Sequence, residues 1–315
     1  MNWDDTPIFG KDIRLMNSEK LLFHYCSTQT GFAILQKREI RLSALSSAND
    51  TLEGRVLGRV FTHLLRETEL PEELVDVAAV IVEGYPDATE GFAFCLSEKG
   101  DLLSQWRSYG RDGSGFALGF SRDLLEEDFG DVNFGSRFFE LMAVNYGEKG
   151  LNESLKPFVE DLATEFVVCG SFARLRDGIN KERALALLAN RENQASIFIG
   201  SNDKSSEVFS RLLQALSPLH FQIYKTKPLH FHEECEWRLL RYRHKVALPE
   251  VEYFADDHSI RPYITSSIAD PAREVIKEVV LGPKNRTNLS WMRAFLDSVG
   301  LPHVRVLRSS IDSYR

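Results

Sequence analysis

The chain has 315 residues, of which 43% are hydrophobic and 27% are charged, a composition that supports a substantial folded core and excludes the disordered class. Its 38 basic and 46 acidic residues give a formal net charge of −8, which argues against a general affinity for phosphate backbones but leaves room for a local basic cleft. Because it has no apolar run near the roughly 20 residues that span a bilayer, and no signal-peptide pattern at its start, the sequence predicts a cytoplasmic protein without a membrane partner.

The first part of the chain predicts short strands and helices after a loosely structured lead-in of residues 1–19. Aromatic and apolar side chains indicate a strand over Leu21–Cys26, and Ser27 is placed to cap a helix over Thr28–Arg38. The elements predicted next are a strand Glu39–Leu42, a helix from Asn49 or Asp50 to Leu70, a helix from Pro71 to Gly84, a strand Gly91–Ser97, a helix opened by Asp101 and closed by Gly110, a strand Gly115–Ser121, a helical turn at 121–129 and a strand Phe138–Tyr146.

The second part combines a helical segment with a return to strands. Helical periodicity dominates residues 148–219, which predicts a helical insertion and not a separate domain. The elements predicted after it are strands His232–Tyr242, Lys245–Phe254, Arg261–Ser267 and Val275–Leu281, a helix capped by Thr287 and ended by Gly300, and a strand Val304–Leu307. Because strands and helices mix without a regular alternation, the sequence predicts one α+β domain over residues 1–315.

The first segment with chemical potential is His24-Tyr25 in the first strand. The period of two places His24 on the face opposite to Phe23 and Tyr25. A histidine on a strand that leads into a capped helix can present its ring to a cleft. The alternative is a half-buried ring bonded to a backbone carbonyl.

The second segment runs from Ser97, at the end of a strand, through the following helix. Gln105, Trp106 and Arg107 offer an amide, a large flat ring and a planar cation, a set that suits stacking on a heterocycle and holding phosphate or carboxylate. The alternative is that Trp106 is a buried anchor and Arg107 pairs with a core carboxylate.

The third segment is Phe231–Leu240, which we interpret as a strand. This places His232, Glu234, Glu236 and Arg238 on one face. Carboxylates on an otherwise apolar strand are costly unless they are paired or used. The pattern therefore favours a functional role over an arginine–glutamate ladder on a solvent-facing sheet.

Two other site chemistries have weaker support. His220, His230 and His232 with the nearby Glu233 and Glu234 could form a metal site, although their spacing fits no metalloprotease helix motif. The four cysteines lack CxxC and zinc-finger spacing, which favours reduced thiols over disulfides or a cysteine-only zinc site.

Taken in order, these segments resemble a widespread bacterial family known as a domain of unknown function. The motifs that carry the resemblance are HYCS at His24–Ser27, Cys95-Leu96-Ser97-Glu98, LSQWRSY at Leu103–Tyr109, Glu234-x-Glu236-Trp237-Arg238, Ile276–Pro283 and the closing SIDSYR at Ser310–Arg315. The chain departs from the family at Cys26, where the family usually has threonine.

The order of the His24, Ser97 and Glu236 segments is also similar to that of ADP-ribosyltransferases. That resemblance implies two split sheets around a cleft for NAD, with N-glycosidic cleavage through an oxocarbenium-like state that a fixed carboxylate stabilises. It assigns the catalytic carboxylate to Glu236 or Glu234 and ribose binding to His24. The other cofactor-contacting residues are Tyr25 beside the nicotinamide, Ser97 in the second strand, Gln105 in the following helix, and Arg107 or Arg41 at the pyrophosphate.

The resulting expectation is an ADP-ribosyltransferase-like α+β fold with a helical insertion at 148–219. Its activity would be transfer of ADP-ribose from NAD to a protein or nucleic-acid acceptor, as in a toxin or phage-defence effector with an antitoxin or other protein partner. The alternatives are a metal-dependent hydrolase or nuclease, and a non-catalytic module that binds a nucleotide or a protein.

Overall fold

The computed structural model describes residues 20–47, 53–130, 139–168, 215–216, 218–244, 250–255, 259–268 and 273–311. The strands are β1 (Leu21–Cys26), β2 (Glu39–Ala44), β3 (Thr89–Ser97), β4 (Phe116–Ser121), β5 (Phe139–Ala143), β6 (Asn145–Tyr146), β7 (Thr226–Lys227), β8 (Glu236–His244), β9 (Glu252–Ala255), β10 (Ile260–Ser267), β11 (Ile276–Leu281) and β12 (Arg305–Arg308). The helices are α1 (Thr28–Lys37), α2 (Glu53–Arg66), α3 (Glu72–Ala88), α4 (Leu103–Ser108), α5 (Arg122–Gly130), α6 (Gly147–Val168), α7 (Leu219–Ile223) and α8 (Leu289–Ser298), with short 3-10 helices at Leu45–Ser47 and Leu229–Glu234.

These described strands form a ten-stranded, mostly antiparallel sheet and a separate β6–β7 pair. The main path of the sheet runs β12-β11-β4-β1-β3-β2-β10-β9, and β8 joins β3 to β5. Among the described strand pairs of the large sheet, only β11–β12 is parallel, because α8 connects these two strands as a crossover. The mixed α/β composition with an antiparallel sheet confirms the predicted α+β class.

The sheet divides along one edge of β3. On this edge β1 pairs with β3 only at Phe23–Ser97, whereas β2 pairs with it at Ala93 and Phe92. The two strands therefore diverge over residues 94–96. The other edge of β3 pairs with β8 along the whole strand, from Thr89–His244 to Ser97–Glu236.

The two faces of the sheet pack against separate hydrophobic cores. Ala93 and Leu240 point into a core built with α2, α3, α6 and α7. Phe94 and Leu239, their neighbours along the strands, point into the opposite core with α1 and α8. Alternating burial of this kind fixes the register of β3 and β8, since a slip by one residue would exchange the two faces.

Local signals placed most of the helix and strand positions correctly, with two helix starts displaced. Ser27 caps α1 by accepting a hydrogen bond from the Thr30 amide at 3.0 Å, as predicted. The last helix is capped by Asn288, whose side chain accepts from the Ser290 amide at 2.8 Å, and not by Thr287. The Thr287 amide is instead bonded to the Asn285 side chain at 2.9 Å, which moves the start of the helix one residue further on.

The predicted strand over His232–Tyr242 is wrong in its first part. Residues Leu229–Glu234 form a 3-10 helix, Cys235 adopts a left-handed conformation with φ 44°, and β8 begins at Glu236. The Cys235 amide closes this turn on the His232 carbonyl at 3.3 Å. The alternation of side chains in this segment resembles a strand, but a turn interrupts it.

Several predictions fall partly or wholly on other residues. The ends of the predicted insertion are helical, as α6 and α7, while 169–214 lies outside the described residues. So do the lead-in 1–19, the caps proposed at Asn49 and Asp50, the start of the strand predicted from Lys245, and the last four residues of SIDSYR.

Asp101 ties the end of the chain to α4 instead of capping that helix. The residue that precedes α4 is Leu102, which makes no side-chain cap. The Asp101 carboxylate accepts hydrogen bonds from Trp106 Nε1 at 2.7 Å, Ser309 Oγ at 2.6 Å and the Ser310 amide at 2.6 Å. Trp106 itself is completely buried, as the alternative interpretation of that residue proposed.

We expect Asp101→Asn to lower the free energy of unfolding at pH 7 by about 1–2 kcal/mol, because hydrogen bonds to a charged acceptor are lost at a partly exposed site. Although partial burial opposes it, hydrogen bonding from Ser309, Trp106 and Ser310 holds the pKa of Asp101 below its ordinary value. Its contribution is therefore present above the unfolded-state pKa of about 3.9 and is lost as the pH falls through the lower folded-state value.

Urea unfolding of wild type and Asp101→Asn from pH 7 downwards measures this effect. The difference between the two proteins narrows below about pH 4. Asp112→Asn is the matched control, since Asp112 forms an exposed ion pair with Lys284 and its positive φ suits asparagine. A loss in Asp112→Asn as large as in Asp101→Asn would contradict the interpretation.

Candidate functional site

A cavity of about 770 Å³ lies where β1 and β2 diverge along β3. Its walls come from β1, β3, α4, β7, β8, β10 and the 3-10 helix Leu229–Glu234. Its size is within the usual range for small-molecule sites. Residues from distant parts of the chain therefore share one concave surface.

His24 bridges the gap between β1 and β3 and offers an acceptor to the cavity. Its Nδ1 lies 2.8 Å from the Cys95 carbonyl oxygen, and because a carbonyl only accepts, Nδ1 carries the hydrogen. The ring stacks on Phe94 with centroids 4.1 Å apart, and burial lowers the pKa of His24 to about 4. The imidazole is thus neutral at pH 7, and Nε2 has a lone pair for a ligand. The ring is bonded to a backbone carbonyl and also lines the cavity, so the two sequence interpretations hold together.

Four buried charged side chains form a cluster on the opposite wall. Lys227 Nζ donates to Glu234 Oε2 at 2.7 Å and to Glu236 Oε2 at 3.2 Å. Arg238 donates from Nε to Glu236 Oε1 at 2.8 Å and from Nη1 to the Tyr224 carbonyl at 2.6 Å. Each buried charge is paired, as low-dielectric surroundings require.

The two carboxylates of this cluster have opposite pKa shifts. Burial alone would raise the pKa of Glu236, but the Arg238 guanidinium and the Lys227 ammonium outweigh it and lower the pKa to about 2. Burial raises the pKa of Glu234 against the opposing effect of Lys227. Glu236 is therefore permanently ionised near neutral pH, while Glu234 is more easily protonated. Pairs of this kind suit separate electrostatic and acid–base roles.

Tyr109 and Cys95 complete the surroundings of the charged cluster. Tyr109 is 49% exposed at the cavity, and burial of its hydroxyl raises the pKa to about 12. The Cys95 side chain is accessible from the cavity. Its depth in the protein and the nearby Glu236 carboxylate raise the pKa of the Cys95 thiol, so the thiol stays protonated near neutral pH.

The structure brings five of the residues predicted for the site to this cavity: His24, Tyr25, Gln105, Glu234 and Glu236. The hydroxyl of Tyr25 is engaged, since it donates to the Lys99 carbonyl at 2.7 Å and accepts from the Leu102 amide at 2.9 Å. Its ring edge contacts Trp106. Tyr25 therefore offers the cavity a ring and not a free hydroxyl.

The other three predicted residues lie outside the cavity lining. Ser97 is buried, and its Oγ donates to the Glu234 carbonyl at 2.6 Å, so it holds the turn before β8. Arg41 is exposed on β2, with its guanidinium 4.6 Å from the Tyr263 ring centroid. Arg107 is exposed on α4. Neither arginine lines the cavity at which we expected a pyrophosphate.

Sequence patterns did not identify two cations that line the cavity, Lys227 and Arg261. Lys227 precedes Pro228 at the end of a two-residue strand, where no periodicity marks it. Arg261 belongs to β10, which reaches the cavity because β10 pairs with β2. Only the long-range strand pairing places these side chains at the site.

The proposed metal ligands do not converge in the part of the chain that is described. Among these residues no three His, Cys, Asp or Glu side chains form a group that could hold a metal ion. His230, His232 and Glu233 are exposed along the 3-10 helix. The metal-dependent alternative therefore lacks a ligand set among the residues that suggested it.

Two further expectations concern cysteines and membranes. Among the described cysteines, Cys26, Cys95 and Cys235 are free, and Cys169 lies outside the described residues. None of the helices in the described ranges combines the length and the apolar character needed to cross a membrane.

Comparison with known proteins identifies one family. Residues 105–239 match the model of a family described as protein of unknown function (DUF2971), which supports the domain-of-unknown-function family indicated by the motifs. The matched segment begins in α4 and ends in β8, so it contains the charged cluster. No curated protein and no solved structure matches the chain significantly.

Proposed function

We propose that this cavity binds NAD and that the protein transfers ADP-ribose from NAD to a macromolecular acceptor. The proposal depends on one observation above all: His24 and the glutamates Glu234 and Glu236, which lie far apart along the chain, line the same cavity. A neutral acceptor on one wall and an ionised, fixed carboxylate on the other suit cleavage of a glycosidic bond next to a ribose.

Glu236 would stabilise the charge that develops as the bond between nicotinamide and ribose breaks. In that step the electron pair of the carbon–nitrogen bond leaves with nicotinamide, which becomes neutral, and the ribose becomes oxocarbenium-like. A carboxylate held by Lys227 and Arg238 needs no reorganisation during the step. Glu234, whose pKa is raised, would take the proton from the attacking acceptor group.

The remaining lining residues would bind the rest of NAD. Nε2 of His24 would accept a hydrogen bond from a ribose hydroxyl, and the rings of Tyr109 and Phe231 offer flat apolar surfaces to a base. Arg261 would hold the pyrophosphate in place of Arg41 or Arg107, since it lines the cavity and they do not.

The division of the sheet also supports this assignment. An ADP-ribosyltransferase-like arrangement has two small sheets around its cleft, and here β1 and β2 separate along β3 beside the cavity. A toxin or phage-defence effector of this chemistry would act on a cellular protein or nucleic acid and would need an antitoxin or other protein partner to restrain it.

Titration calorimetry with NAD, followed by chromatography of released nicotinamide, tests the proposal. We expect NAD binding and slow nicotinamide release with water as acceptor, and label transfer from labelled NAD when a cell extract supplies the acceptor. Absence of both binding and release contradicts the proposal. Binding without release or label transfer contradicts the enzyme and supports the non-catalytic module instead.

Cys95 reports whether NAD occupies this cavity. We expect saturating NAD to slow alkylation of Cys95 by N-ethylmaleimide several-fold, because Cys95 lines the cavity that NAD would fill. Peptide mass spectrometry measures the rate. Cys235 is the internal control, since it is partly exposed outside the cavity lining. Equal slowing at both cysteines, or no slowing at Cys95, would place NAD elsewhere.

A further inference from the structure

The short β6–β7 pair lies at the two ends of the helical segment and touches the carboxylate cluster. β6 directly precedes α6, and β7 follows α7. The two strands are parallel, and Tyr146 pairs in register with Lys227. The chain that leaves the sheet for the helices and the chain that returns from them therefore meet beside the cavity.

Tyr146 and Lys227 both hold Glu236: Tyr146 contacts the main chain of Glu236, and Lys227 contacts its side chain. The Glu236 amide donates to the Tyr146 hydroxyl at 2.7 Å, and the Val144 amide donates to the Glu236 carbonyl at 2.9 Å. Lys227 bonds the Glu236 carboxylate and also that of Glu234. The amide, the carbonyl and the carboxylate of Glu236 are thus held by Tyr146, Val144 and Lys227, which lie just before α6 or just after α7.

The helices give this pair a firm base. Leu155 and Val159 of α6 and Leu219 and Ile223 of α7 are buried together in the core formed with α2 and α3. The Asn145 side chain donates to Ser154 Oγ on α6 at 3.2 Å, which joins β6 to its helix. Displacement of the helices would therefore move Tyr146 and Lys227 away from Glu236.

We infer that the β6–β7 pair is the positioning element of the two carboxylates, and that Lys227 is the positioning residue through which it acts. This rests on the proposed function for its kinetic test, since Lys227 would not itself react. By placing one ammonium between Glu234 and Glu236, it keeps two like charges together in a buried site. The described helices α6 and α7 would then be an integral part of the site and not an appended insertion.

Replacing Lys227 with methionine tests the inference, because the change removes the ammonium and keeps an apolar stem. We expect nicotinamide release at saturating NAD to fall about a hundredfold, with little change in KM, and Lys227→Arg to recover part of the rate. The acidic limb of the pH profile shifts to higher pH in Lys227→Met, since both carboxylates lose a cation that lowers their pKa. Among the described residues, the ionisable groups that face Glu234 and Glu236 are Arg238 on β8, Cys95 on β3, Tyr109 after α4, Tyr146 on β6 and Lys227 on β7.

Lys225→Met is the matched control, since Lys225 lies two residues away and outside the cavity lining. It should keep the wild-type rate and pH profile. An unchanged rate and pH profile in Lys227→Met overturns the inference. Should Lys227→Met fail to fold, Lys227→Gln is judged by the same two criteria.

A measurement without NAD separates this inference from the proposed function. We expect Tyr146→Phe to speed hydrogen exchange at the Glu236 amide, because that amide loses its acceptor. Unchanged exchange overturns the positioning role of β6 even in an active enzyme. If the wild-type protein releases no nicotinamide, the proposed function fails while the exchange result still decides this inference.

Discussion

Glu236→Gln is expected to lower the rate of nicotinamide release by about a hundred- to a thousandfold, because it removes a preorganised charge from the transition state. The amide keeps the shape of the side chain but has one acceptor oxygen, so it cannot accept from both Arg238 and Lys227 as the carboxylate does. In folded protein, NAD affinity should change little, since the charge acts mainly where positive charge develops. Single-turnover release of nicotinamide and calorimetric titration measure the two quantities separately.

Glu233→Gln is the matched control for this substitution. Glu233 has the same side chain and lies three residues earlier, in the 3-10 helix before β8, but is exposed and outside the cavity lining. It should keep the wild-type rate. A fall in rate of similar size in both variants, or full activity in Glu236→Gln, would remove Glu236 from the proposed mechanism. Thermal unfolding of both variants separates lost chemistry from lost folding.

Arg238→Met is expected to lower the free energy of unfolding at pH 7 by about 3–5 kcal/mol, the usual cost of removing one partner from a buried ion pair. The change leaves the Glu236 carboxylate with one cation fewer and the Tyr224 carbonyl without its guanidinium donor. Methionine occupies much of the space of the aliphatic part of arginine, so the lost stability reflects the missing charge more than a new cavity. Urea unfolding measures it.

The pH dependence gives the sign of the Arg238 effect. The folded-state pKa of Glu236 is about 2, below the unfolded value of about 4.3. Its ionisation therefore stabilises the fold above the unfolded pKa, and this contribution is lost as the pH falls through the folded value. Without Arg238 the folded pKa rises, so the penalty should be smaller at pH 4 than at pH 7.

Arg243→Met is the control on the same strand. Arg243 pairs with Glu250, whose side chain is 58% exposed, and an exposed pair contributes at most about 1 kcal/mol. The double variant Arg238→Met with Glu236→Leu should recover part of the lost stability, since it removes both charges of this pair and leaves Lys227 paired with Glu234. Equal losses at Arg238 and Arg243 would contradict the buried-pair interpretation.

The sequence identified elements whose signals are local. The strand around His24 and the cap at Ser27 follow from neighbouring residues. The placement of Tyr25 and His24 on opposite faces of that strand follows from them as well. The turn at Cys235 was missed because polar and apolar side chains alternate before it as in a strand. Cysteine is also not one of the residue types that indicate a left-handed conformation. The two glutamates still meet, since Glu234 turns back towards Lys227.

The site residues that sequence patterns missed depend on pairings between distant strands. Lys227 lies at Glu236 because β7 pairs with β6, and Arg261 reaches the cavity through the pairing of β10 with β2. Arg107 has the chemistry predicted for it, but the helix turns it to solvent because Trp106 takes the buried position. Trp106 enters the core and Gln105 lines the cavity, which leaves Arg107 on the exposed side of this short helix.

The divergence of β1 and β2 has a consequence for ligand entry. Along the described edge of β3 that faces the cavity, residues 94–96 pair with neither strand, and the imidazole of His24 bonds the Cys95 carbonyl there. A ligand can therefore bind without breaking backbone hydrogen bonds between strands, so binding costs little chain conformational entropy. The rate of ligand binding would then be set by diffusional encounter and desolvation. Binding would show a single kinetic phase, with no slow conformational change after it.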